Sequence, residues 1–99
     1  MIKQFDLCGE IYYKVEDIQE FIKQCTIQNK IIWCIEFVKI INKSVIPYAA
    51  LQSIDSADLY NAQYSYKTNV SICNEFIQLC VDKCSDKLKD LYFCATIDD

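Results

Sequence analysis

Apolar and polar positions alternate in two different rhythms along this chain, and the rhythm changes at residue 15. Residues 5–13 mix β-forming side chains with Gly9, which reads as a strand bent at the glycine. From there Val15, Ile18, Phe21, Ile22 and Cys25 recur every three or four positions, with Glu16, Asp17, Glu20, Lys23 and Gln24 between them. That spacing predicts an amphipathic helix whose first turn carries the acids the helix dipole favours, and Asn29 is its expected stop.

The run Ile31-Ile32-Trp33-Cys34-Ile35-Glu36-Phe37-Val38 is rich in β-branched and aromatic residues and reads as a buried strand. Glu36, Lys39 and Lys43 also recur at helical spacing, so a helix stays open there. Pro47 marks a break, followed by an irregular stretch over 48–66 that admits a short helix at 56–62. Cys73, Phe76, Ile77, Cys80 and Cys84 then form one apolar stripe, predicting a helix over 70–85 capped by Asn69 or Ser71. The three cysteines of that stripe are expected to be buried. Residues 91–97 close the chain as a strand. The expected fold is α+β, a small mostly antiparallel sheet with two main helices packed on one face; an all-α bundle is the alternative. No linker, repeat or low-complexity tract divides residues 1–99, which read as one globular domain.

Composition narrows the chemistry. The 99 residues include no histidine, no arginine, one glycine (Gly9) and one proline (Pro47). Histidine is the usual acid or base near neutral pH, arginine the usual bidentate clamp for phosphate, and glycine builds loops that wrap phosphates. Lacking all three, the chain is expected to have no catalytic activity and no cofactor. A net charge of −4 opposes direct nucleic-acid binding and favours a basic protein partner.

Seven cysteines invite a disulfide reading, but their number is odd and their spacing scattered, and several sit in apolar runs such as Leu79-Cys80-Val81. An acid at position 6 interrupts any apolar signal segment, so free thiols in the cytoplasm are expected. The longest apolar run, residues 31–41, is about half a membrane span and is broken by Glu36 and Lys39, so no membrane association is expected. Cys80 and Cys84 lie one helical turn apart, as two thiolate ligands would, yet paired C-x₂-C knuckles are lacking and core packing explains the stripe, so no metal site is expected. The pair Asp55 and Asp58 has the residue type for acid/base work but none of the surrounding glycines or polar residues of a pocket.

The middle segment carries the recognition chemistry. Residues 44–66 contain no lysine, and Tyr48, Tyr60, Tyr64 and Tyr66 alternate there with Ser, Asn, Gln, Asp55 and Asp58. Tyrosine gives large contact area at low entropy cost, so these six side chains are the expected partner-binding set, with a sheet edge or core rim as the alternative use of the tyrosines.

The order of a helix (16–29), an apolar strand (30–40), an aromatic-rich middle from Ile54-Asp55-Ser56 to Tyr66, a second helix (70–85) and a last strand (91–97) resembles the immunity proteins that neutralise anticodon-cleaving colicins. Immunity proteins of contact-dependent growth-inhibition systems are the broader neighbourhood. The strand over 5–13 is an addition to that order. The resemblance implies a non-enzymatic inhibitor that binds a basic nuclease toxin by acidic mimicry of its RNA substrate. Two other readings remain: a mobile-element inhibitor of a host defence complex, and a cysteine-based metal or redox module.

Overall fold

A computed structural model describes residues 2–98. Among them the chain forms β1 (Phe5–Leu7), β2 (Glu10–Lys14), α1 (Ile18–Ile27), β3 (Ile32–Ile41), β4 (Ser44–Pro47), β5 (Ile54–Asp55), α2 (Tyr66–Lys83) and β6 (Tyr92–Ile97). The sheet order is β1-β2-β6-β3-β4, with β5 also pairing β3, and every pairing is antiparallel. The fold is α+β, and the all-α alternative is excluded.

Two hairpins that the hydrophobic pattern did not resolve frame the sheet. The single bent strand expected over 5–13 is two strands, with Leu7 opposite Glu10 across a two-residue turn. Cys8 and Gly9 both have positive φ, 55° and 81°, as a turn matching the right-handed strand twist requires. The same device joins β3 to β4, where Asn42 and Lys43 have φ of 51° and 67° and Ile41 faces Ser44. Pro47 ends β4 on the sheet edge, where its missing N–H costs no ladder bond.

Helix α1 follows its sequence pattern closely. Ile18, Phe21, Ile22 and Cys25 are buried, and Asn29 stops the helix in the left-handed conformation (φ 59°). Lys30 N–H reaches Cys25 O (2.8 Å) and Asn29 N–H reaches Thr26 O (3.1 Å), the paired bonds of a Schellman end.

Helix α2 differs from its reading at both ends. It begins at Tyr66, a turn before the expected start, and its cap is Ser65, whose Oγ accepts from Thr68 N–H at 3.1 Å. Neither Asn69 nor Ser71 caps it. Its buried seam runs through Val70, Cys73, Asn74, Ile77 and Val81, so Cys73 is buried while Cys80 and Cys84 are only half-buried on the flank. The expected stripe missed this rotation because two of the buried positions, Asn69 and Asn74, are polar.

The core lies between the helix pair and one face of the sheet: Ile18, Phe21 and Ile22 of α1, Ile77 and Val81 of α2, Ile35 and Phe37 of β3, and Phe93 of β6. Tyr13 stacks on Phe93 (5.2 Å) and tilts against Phe21 (4.8 Å), which meets Phe93 edge-on at 5.3 Å. The opposite sheet face carries Tyr12, Cys34, Glu36 and Cys94. No helix of the described residues is long and apolar enough to cross a membrane.

Between Ile32 and Cys34 the β3–β6 register slips, so Ile32 faces Ile97, Cys34 faces Thr96, and Trp33 is the extra residue of a bulge. The bulge turns the inward spacing from two into three between Ile32 and Ile35.

Candidate functional site: an aromatic and acidic surface

The bulge sets Trp33 beside two of the tyrosines singled out in the sequence. The Trp33 and Tyr60 rings meet edge-on at 5.7 Å. Tyr66, the first residue of α2, donates its hydroxyl proton to Asp98 Oδ2 at 2.7 Å, and Trp33 Nε1 reaches Asp98 Oδ1 at 3.4 Å. Asp98 is held by the sheet ladder, since its N–H donates to Ile31 O at 2.9 Å. Beneath the group, Trp33 rests on buried Ile31, Val70 and Cys73. Burial, and then the hydrogen bond to Asp98, raise the Tyr66 hydroxyl above its ordinary range.

Two buried polar side chains hold the loop that carries these rings. Asn69 accepts from Asn61 N–H at 2.9 Å and donates back to Asn61 O at 2.9 Å, with further bonds to Ser65 O and Tyr64 O. The amide therefore acts like a short length of ladder between α2 and the loop. Ser56, also fully buried, donates to Ile32 O at 2.7 Å. Its N–H donates to Trp33 O at 2.9 Å, fixing the bulge against the loop.

The expected binding set divides. Tyr60 and Tyr66 join Trp33 and Asp98, and Tyr64 stands exposed at the same loop (51% accessible, against 43% for Tyr60 and 36% for Tyr66). Tyr48 belongs elsewhere: its ring lies under Lys39 Nζ at 5.2 Å and packs against the main core, the rim position given as the alternative. Asp55 is a turn-former, its Oδ1 accepting from Ala57 N–H at 2.8 Å. Asp58 lies exposed in the 3₁₀ turn Ala57–Leu59, all that forms of the short helix at 56–62. Trp33 and Asp98 were missed. A lone tryptophan in a strand could have been flagged, but nothing local in the sequence ties position 98 to it.

Other features carry less chemistry. A groove of about 540 Å³ between α1 and α2 is lined by Ile22, Ile27 and mostly satisfied polar groups such as Asn74. All seven cysteines are free. Among the described residues, no three Cys, Asp or Glu gather closely enough to hold a metal.

No protein family, characterised protein or solved structure matches this chain at a significant level.

Proposed function

We propose that this chain is a non-enzymatic inhibitor of the immunity or antitoxin type, acting in the cytoplasm by occupying the substrate cleft of a basic nuclease toxin. The observation that carries the reading is the group of Trp33, Tyr60, Tyr66 and Asp98 on an acidic chain, with Tyr60 and Tyr66 exposed in the lysine-free stretch 44–66 and Trp33 and Asp98 half-buried beside them. Aromatic residues with a polar handle and a rigid base are the usual anchors of protein interfaces. A net charge of −4 would steer the chain toward a positively charged cleft.

Inhibition by occupancy requires one inhibitor per toxin. Titration against a purified anticodon-nuclease domain, and against the product of the adjacent gene, should reach a sharp endpoint at equimolar ratio. The association rate should fall as salt rises. Protection at one part in a hundred would mean turnover and would overturn the proposal, as would an association rate indifferent to salt.

A further inference from the structure

We propose that Trp33, Tyr60, Tyr66 and Asp98 form a receptor for a single guanidinium group, an arginine side chain presented by the protein partner. The inference rests on reading this surface as the one that meets a basic partner, and it names the chemistry of the contact.

The site has the two elements such a group requires. Aromatic faces attract a cation through the ring quadrupole, with tryptophan the strongest and tyrosine next. Trp33 and Tyr60 stand edge to face at 5.7 Å and 64°, with the Tyr60 ring exposed and Trp33 half-buried beside it. The second element is the carboxylate. Asp98 uses one oxygen for the Tyr66 hydroxyl and the other, at the long distance of 3.4 Å, for Trp33 Nε1. Each carboxylate oxygen offers two acceptor directions, so among the described residues one on each is left for guanidinium donors. Arginine suits this pairing better than lysine because it stacks flat on rings and bonds both oxygens together.

Among the described residues, no lysine is recorded against these rings. The lysines seated on aromatic rings are Lys3 over Phe5 and Lys39 over Tyr48. Lys67 follows Tyr66 directly but lines a separate cleft with Thr26, Ile27 and Asn29. The geometry is also fixed before any partner arrives: the bulge, the ladder bond to Asp98 and the Asn69 clamp set each member of the group independently. A preset site loses little conformational entropy on binding.

Trp33 is the only tryptophan, so its fluorescence reads the site directly. Hexa-arginine, hexa-lysine and hexa-citrulline peptides would be titrated into the intact protein at fixed ionic strength. The expected result is a saturable change in Trp33 emission with hexa-arginine, at least threefold weaker affinity for hexa-lysine, and no response to hexa-citrulline. Asp98→Asn and Tyr60→Leu should each weaken hexa-arginine binding at least fivefold, while Asp86→Asn, an exposed charge outside the group, should change it less than twofold. Should Tyr60→Leu lose its fold by circular dichroism, Tyr66→Phe, which deletes only the hydroxyl donor to Asp98, takes its place. Equal weakening by Asp98→Asn and Asp86→Asn would mean diffuse charge attraction and would overturn the receptor. So would an emission response that fails to saturate. Neither result touches toxin inhibition, which the equimolar titration reads separately; a receptor that binds hexa-arginine in a protein that inhibits no nuclease would overturn the proposed function alone.

Discussion

Asn74 should be the most costly polar residue of the fold to remove. It is 2% exposed, yet it joins three elements. Its Oδ1 accepts from Ile32 N–H at 2.9 Å, and its Nδ2 donates to Lys30 O and to Thr26 Oγ1, both at 3.0 Å. Replacing Asn74 by Ala strands the Ile32 N–H inside a residue with no solvent exposure. An unpaired buried amide costs about 1–3 kcal/mol, and the part-buried Lys30 carbonyl adds a smaller amount. Thr26 keeps its own donor bond to Ile22 O at 2.9 Å, so its loss is slight. Alanine is the better helix former, which returns about 0.6 kcal/mol. The expected net loss is about 1–3 kcal/mol, a large share of the roughly 5–15 kcal/mol of a domain this size. Thermal midpoints should fall by about 5–20 °C. Urea and thermal unfolding followed by circular dichroism would measure it. Gln78→Ala is the control: it removes an exposed 2.8 Å bond to Asp82 from the same helix and should cost less than about 0.5 kcal/mol. A loss below about 1 kcal/mol for Asn74→Ala, or one equal to the control, would refute the reasoning.

The first hairpin should respond in opposite directions to two substitutions. Cys8→Asn should stabilise it by a few tenths of a kcal/mol, because Asn tolerates positive φ and Asn-Gly suits this turn, whereas Gly9→Ala should cost about 1 kcal/mol from strain alone. An added Cβ at Gly9 would meet nothing within 4 Å, so a larger loss measured by denaturation would contradict that account. Stability should also decline between about pH 9 and 11. Burial, with Glu36 and Glu10 nearby, pushes the Cys94 thiol from 9.0 up to about 11, so the unfolded chain releases that proton first. The stabilisation is whole below the unfolded value and is lost as pH rises through the folded one. Cys94→Ala should flatten the decline of the unfolding midpoint; an unchanged slope would dismiss the cause. Under native labelling with a thiol reagent, exposed Cys8 should react first, while buried Cys25 and Cys73 should wait for opening of the fold. Rapid modification of Cys73 would disprove the packing of α2.

Much of the architecture was legible because burial imposes a period on the chain. Helix α1 follows its three-four spacing down to the Asn29 stop, and the closing strand follows its run of β-forming residues within a residue. The signal failed wherever a long-range bond replaced hydrophobic spacing. Asn69 and Asn74 look like surface residues in sequence, and only the strands and loops that meet α2 make them interior. The two hairpin turns were hidden because three of their four positive-φ positions are held by Cys8, Asn42 and Lys43 rather than by glycine. Tyr60 and Tyr66 could be singled out from composition. Their meeting with Trp33 and Asp98 was decided by the β3 bulge and the end of the β6 ladder. Local sequence sets which face of a helix or strand is apolar, because that depends on the backbone period. Which polar groups converge depends on how those faces dock, and no window of the chain contains that information.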